Sequence, residues 1–472
     1  MPTLLVNARE TPVDTGRRLA TAFLGYFTVV VAVITLVPFT IRTPPDWRLI
    51  TAFVAGDFAA NIALFLPIGF LTASISRARG IGSLLKAAAL GFLLSLLIEY
   101  VQEFMPERIP AAWDLVANTL GATIGAGGYV LASRGGRGLD APMVERLALD
   151  LPLAGLVYLM VPLTWLTALA HEGTDWALGL TAPLGLMGAI VISSVQREGL
   201  RRRGAGPALL ATAWFASAVL AGAPDQLLPG LALIAAVGGL TALLGNATRR
   251  SAETDRRYEP KTLATIAPIG LLWLAALAGG PLLGGVVSFD FSVAPVSGDG
   301  GWSRQNVLRL VEQPTAFAVL GYAIAQWIGR RIEAFATSLA YVLAGAVLGG
   351  LIFEIARGVA DGYGASLVGF LLSVGGAAFG CAVYHLQLGH LKALRDEARE
   401  QQKQAREAAE AAELARRRTA EPVRTALPAA LETTEAEVVL LEDVAEVAAV
   451  EVEVEVEVDP ARADDRPAPK AP

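Results

Sequence analysis

Apolar runs of roughly 20 residues recur twelve times between positions 19 and 386, and nothing else in the chain restricts its fold as much. A hydrocarbon core about 30 Å thick is crossed by about 20 helical residues, and backbone groups there must be satisfied within a helix or a closed barrel. These runs are too long for barrel strands and do not alternate, so they read as helices. The spans lie near 19–39, 53–75, 84–104, 113–133, 148–169, 175–195, 206–222, 227–245, 263–283, 312–329, 337–356 and 364–386. The expected fold is all-α: a polytopic transmembrane helix bundle of about 12 spans. The composition agrees, with 54% hydrophobic and 17% charged residues, against about 25% charged in soluble chains. The first run exceeds the roughly 7–15 residues of a signal-peptide core and lacks a small-x-small cleavage site, so it reads as a retained span.

Basic residues favour short cytoplasmic loops, and here they alternate. Arg17 and Arg18 precede span one, Arg77, Arg79 and Lys86 follow span two, and Arg134, Arg137 and Arg146 follow span four. Arg197 and Arg201–Arg203 follow span six, Arg249, Arg250, Arg256, Arg257 and Lys261 follow span eight, and Arg330 and Arg331 follow span ten. The intervening loops hold few or none. Both termini are therefore expected in the cytoplasm. Up to His390 there are 26 Lys+Arg and 24 Asp+Glu, and beyond it 12 and 20, so a near-neutral apolar body carries an acidic appendage. No basic patch calls for nucleic acid. The single cysteine, Cys381, permits no intramolecular disulfide. His171, His385 and His390 have no metal-ligand spacing, and His171 reads as a loop histidine. No cofactor is expected.

Polar residues gather at the expected outer ends of spans two to four. Asp57 and Asn61 stand four apart on one helix face, as do Asp114 and Asn118. Glu99 and Gln102 end span three, and the following loop supplies Arg108, whose planar fork suits a carboxylate partner such as Glu99 or Asp114. Charges at membrane depth are costly and usually face a bundle interior or a wet cavity. Two readings stand: ties between three helices, or a pocket that binds a ligand. Catalytic candidates, if chemistry occurs, are Glu99 and Asp114.

These residues also carry a likeness. Asp57-x-x-x-Asn61 leading into Phe65-x-Pro67-x-Gly69 resembles the first block of the VanZ-like family of bacterial membrane proteins. Glu99-x-x-Gln102, then Arg108, then Asp114-x-x-x-Asn118-Thr-x-Gly121-x-x-x-Gly125 resembles its second. Ala111 stands where many members carry another acid. The resemblance covers residues of about 20–130. It implies a location in the bacterial cytoplasmic (inner) membrane and an envelope-related role, in a family named for glycopeptide antibiotic resistance. It implies no particular reaction.

A second copy is suspected over 310–386. With Glu99 and Glu354 as origins, Gly121 matches Gly376, Ala122 matches Ala377, Gly125 matches Gly380 and Tyr129 matches Tyr384. Gly69 matches Gly321 with a shift of three. Gln102, Asp114 and Asn118 become Arg357, Gly369 and Ser373, so the polar set is not kept, and Glu354 has Arg357 one turn away as its expected partner. Chance matches among small residues are the competing explanation. The outer loop at 284–311 reads first as a plain connector, or as a segment lying on the membrane surface or capping the first-half pocket. Residues 391–420 are expected as a charged helix, and 421–472 as a disordered acidic tail with VEVEVEVEVD at 449–458. The expected domains are thus 1–140 VanZ-like, 141–300 additional helices and the outer loop, 301–390 the degenerate repeat, 391–420 the charged helix and 421–472 the tail.

Three functions follow in order. The first is binding of membrane lipids and an amphiphilic envelope glycan, lipid or lipopeptide at Asp57, Asn61, Glu99, Gln102, Arg108, Asp114 and Asn118. The second is a membrane-embedded enzyme acting on such a molecule, for which no nucleophile, metal or phosphate-loop motif speaks. The third is a transporter, against which stands the lack of a polar path inward. A cytoplasmic protein partner for the acidic tail is a further expectation.

Overall fold

The computed structural model describes residues 12–41, 51–76, 80–106, 108, 110–133, 153–199, 206–247, 258–280, 282, 285–286, 288–294, 302–329, 334–360 and 364–431. Among them are twelve helices of 17 residues or more, one at each predicted apolar run. They are α1 (Pro12–Leu36), α2 (Ala55–Ile75), α3 (Ile81–Gln102), α4 (Ala112–Ser133), α5 (Ala154–Ala170), α6 (Ala177–Gly199), α7 (Gly206–Gly222), α8 (Leu227–Ala247), α9 (Tyr258–Gly279), α10 (Arg304–Ile328), α11 (Phe335–Gly358) and α12 (Leu367–Leu431). Among the described residues, eight segments are long and apolar enough to cross a membrane: Val13–Leu36, Ala55–Ile75, Ile81–Gln102, Ala177–Ser194, Pro224–Leu244, Glu259–Gly279, Phe335–Gly358 and Leu367–Ala415. The protein is a multi-pass helical membrane protein on this count, and the count that length and composition support is eight rather than twelve.

The helices are inside-out relative to soluble ones. On α3 the face turned to protein is Ser83, Ala87, Gly91, Ser95, Ile98, Glu99 and Gln102, while Phe92, Leu93, Leu96 and Leu97 are exposed. On α11 the protein face is Ser338, Val342, Ala346, Gly350, Phe353, Glu354 and Gly358, and Leu348, Leu351, Ile352 and Ile355 are exposed. Exposed apolar stripes of this extent suit lipid rather than water. Small residues on the buried faces let helices approach closely, which is how packing drives association where no hydrophobic force acts between helices.

The chain divides into two compact units, Met1–Glu397 and Ala398–Pro472. The first has its core where α1, α2, α5, α10 and α12 meet, around Phe23, Phe27, Phe65, Leu159, Leu163, Ala325 and Tyr384. Phe23 stacks on Tyr158 at 4.7 Å and Phe27 meets Trp165 edge-on at 6.1 Å. Buried polar ties cross it: the Tyr26 hydroxyl donates to Leu159 O (3.2 Å), and Thr15 pairs with His390 (2.9 Å). A smaller cluster around Ala189, Phe215, Val219 and Val237 joins α6, α7 and α8. In the second unit, the described side chains from 398 to 415 are exposed.

Two expectations are corrected. Within the 284–311 loop, the described residues 290–292 pair with the chain between α11 and α12 and not with the first-half pocket: β1 (Phe291–Ser292) pairs in parallel with β2 (Ala365–Ser366), and Asp290 N donates to Gly358 O (2.8 Å). Backbone pairing at the end of α11 decides this, which no apolar pattern encodes. Residues 421–431, expected as disordered, continue α12 to Leu431, past Pro422 and Pro428. Residues 432–472, with the alternating acidic run, lie outside the described residues.

Candidate functional site

Why the polar residues converge is visible on α3. Its protein face steps through Ser83, Ala87, Gly91 and Ser95 at four-residue intervals, and the next step is Glu99. The Glu99 carboxyl, 8% exposed, therefore points inward at the helix end. The chain then turns, and the amide of Ala111 donates to Glu99 Oε2 at 2.9 Å just before α4 begins. The carboxylate fixes the α3–α4 turn.

Gln102 and Arg108 meet α1. Its last carbonyls lack amide partners within the helix. Gln102 Nε2 donates to Thr35 O (2.9 Å), and the Arg108 guanidinium donates to Ile34 O (3.3 Å) and to Val37 O (3.0 and 3.3 Å). Arg108 thereby closes α1 onto the turn after α3, a role that the expected carboxylate pairing did not include. Asn118, 2% exposed, donates from Nδ2 to Ser95 Oγ (2.9 Å), and its Oδ1 is buried without a hydrogen-bond partner.

The remaining three candidates are more open. Asp57 is exposed, and Asn61 and Asp114 are half-buried. The Asn61 side chain hydrogen-bonds the Asp114 carboxyl, Asp57 is its like-charged neighbour, and Asp114 is in turn a neighbour of Glu99. Beside them Phe53, Phe58 and Trp113 form a ring cluster with centroids 5.3–6.2 Å apart. The Trp113 indole N–H donates to Thr51 O at 3.0 Å, holding the residues before α2 against α4. The arrangement is thus two-layered: Glu99, Gln102, Arg108 and Asn118 bond within the protein, and Asp57, Asn61 and Asp114 face outward next to aromatic rings.

A second polar group was missed in the sequence. Gln313 Nε2 donates to Glu354 Oε1 (2.7 Å), Ser366 N donates to Glu354 Oε2 (2.7 Å), and Arg357 Nη1 donates to Gln313 Oε1 (3.1 Å). The expected Arg357–Glu354 pair stands at 4.0 Å. His171, read as a loop histidine, is 8% exposed and lies 3.2 Å from Glu312, itself 1% exposed. Beside it Glu172 pairs with Arg304 at 2.6 Å. The signal available was small: Gln313 sits at the Asn61 position of the suspected copy, with the same three-residue shift as Gly321. Nothing local marks Glu312 or His171, which are 141 residues apart.

No curated protein and no solved structure matches the chain. Residues 13–133 match the model of the VanZ/LLP1 family, slightly more than the 20–130 expected from the motifs. That segment contains α1–α4 and every residue of the two-layered site. Residues 13–133 are therefore similar to the VanZ/LLP1 family.

Proposed function

We propose that the protein is a bacterial inner-membrane protein of twelve spans, with both termini cytoplasmic, that binds an amphiphilic envelope glycan, lipid or lipopeptide at the outward-facing end of its VanZ-like domain. A part in glycopeptide-type resistance is the physiological form this reading takes. The observation that carries it is the division of labour in the site. Glu99, Gln102 and Arg108 are engaged by backbone groups, whereas Asp57 is exposed and the half-buried Asn61 and Asp114 bond each other beside Phe53, Phe58 and Trp113. Carboxylates accept from sugar hydroxyls or amines, and aromatic faces receive the apolar side of a ring or a cation. The engagement of Glu99 by a backbone amide favours binding over acid–base catalysis.

The same reading treats residues 310–386 as a degenerate copy of the VanZ-like domain. Supporting it, the buried positions of α3 recur on α11 at a constant spacing, from Ser83 and Ser338 to Glu99 and Glu354. Both glutamates accept an amide N–H from the twelfth residue after them, Ala111 and Ser366. The Phe70–Tyr129 ring pair, edge-on at 5.4 Å, has a counterpart in Tyr322–Tyr384 at 5.6 Å.

The test is binding of a short-chain lipid-linked disaccharide to the purified protein, followed through Trp fluorescence. Asp57→Asn and Asp114→Asn are each expected to weaken it roughly tenfold, the scale of one charge-assisted hydrogen bond, while melting is unchanged. Equal binding by native protein and both variants would sink the proposal.

A further inference from the structure

Outside the VanZ-like segment, α6, α8 and α9 frame a cavity of about 580 Å³, within the range of about 300–1,000 Å³ typical of ligand pockets. Each helix contributes one stripe of four residues at i, i+3, i+4 and i+7: from Gly179 to Leu186 on α6, from Leu233 to Leu240 on α8 and from Ile269 to Ala276 on α9. Small residues fall on every stripe, among them Gly179, Ala236 and Ala276. α8 and α9 therefore both pack on α6 and leave a cleft between them. Seven helical residues rise about 10 Å, which sets the length of the cleft.

Its height and its opening are fixed by contacts. Gln226 Nε2, just before α8, donates to Thr174 O, just before α6, at 3.1 Å, and a Cβ added at Gly280, just after α9, would overlap the Trp176 ring. The starts of α6 and α8 and the end of α9 thus share one end of the bundle. From there the cleft reaches to about the middle of α6 and of α9, at Leu186 and Ile269, the depth occupied by the chains of one bilayer leaflet. Val237 and Trp273, each 3% exposed, form its floor, whereas Leu272, 72% exposed, and the exposed Ala236 and Ala276 stand at its mouth. The cleft is therefore continuous with the lipid-facing surface through residues of its own wall.

The lining decides what enters. It carries no charged side chain, and its single side-chain nitrogen, Nε1 of Trp273, is buried. Water needs two to four polar partners to occupy a cavity, and this wall does not offer them. A partner helix about 10 Å across would take roughly 800 Å³ over this length, more than the cleft holds. A flexible hydrocarbon chain follows a narrow slot and gains dispersion contacts along both sides.

We infer that the cleft is a specific site for one acyl chain of a bilayer phospholipid, inserted between α8 and α9 from the leaflet at the α6 start. The site does not depend on ligand binding at Asp57 and Asp114.

The experiment is photolabelling of the full chain in vesicles of phosphatidylethanolamine and phosphatidylglycerol that contain a trace of phosphatidylcholine with a mid-chain diazirine, read by peptide mass spectrometry. Leu186, Leu233 and Leu240 on the wall are expected to be labelled about tenfold more than Leu348 and Leu351, exposed on α11, as for a site favoured tenfold over surrounding lipid. Ala236→Phe, which fills the mouth, brings the wall leucines to the α11 level and leaves α11 unchanged. Ala276→Phe fills it from the opposite helix and carries the test if Ala236→Phe does not fold. Equal labelling of wall and α11 in the native protein, or unchanged wall labelling in a folded filled variant, overturns the site. Stronger wall labelling by a diazirine fatty acid than by the phospholipid at equal mole fraction overturns the phospholipid assignment in favour of a free fatty acid.

Discussion

Glu99, a candidate binding acid, also takes part in a backbone turn. Its Oε2 receives the Ala111 amide at 2.9 Å, so removing it leaves a backbone donor in the turn before α4 without its acceptor. Glu99→Ala is expected to cost about 1–3 kcal/mol of stability. Glu99→Gln, which keeps an acceptor oxygen, is expected to cost less. Thermal melting in detergent checks the order, and equal melting of both variants and the native protein would show that the turn does not need this acceptor. Arg108 belongs to the same class, since it caps α1 carbonyls. Asp57 and Asp114 do not, which is why their variants test binding and not folding.

At the scale of elements, the closest helix contacts are made through glycine. A Cβ added at Gly125 of α4 would lie 1.9 Å from Leu66 O of α2, and one added at Gly380 of α12 would lie 1.9 Å from Ala318 O of α10. Both neighbours are backbone atoms, which cannot rotate away. Gly125→Val and Gly380→Val are each expected to destabilise by at least the 1–3 kcal/mol of an overpacked core, roughly, as the two helices are forced apart. Gly128, which meets nothing within 4 Å, is the control: Gly128→Val should cost far less than Gly125→Val. A similar loss at Gly128 and Gly125 would place the cost in the valine side chain itself instead of interhelical contact.

For the whole molecule, the alternation of basic loops is the observation that carries topology. Reporter fusions after Pro472 and within the 171–175 turn are expected on opposite sides of the membrane, with the C-terminal one cytoplasmic. Detection of both on one side would end the twelve-span reading. The turn also lies at the second polar group, since His171 pairs with Glu312 there.

The position of each described long helix was legible in the chain itself, because every one coincides with an apolar run, although eight segments among the described residues are long and apolar enough to cross a membrane. The VanZ-like domain was legible for a related reason: Asp57, Glu99, Arg108 and Asp114 are conspicuous in an apolar background. What each polar side chain touches was not legible. Hydrogen-bond partners such as Ala111 N for Glu99 and the α1 carbonyls for Arg108 depend on where a turn places a backbone group. His171 and Glu312 meet across 141 residues, and the 291–292 strand found Ala365–Ser366 at the end of α11. Apolar periodicity records which face of a helix avoids water, a one-dimensional property of the chain. Pairing between distant polar groups is set by helix contacts that glycines and small residues permit, and only the assembled bundle decides those.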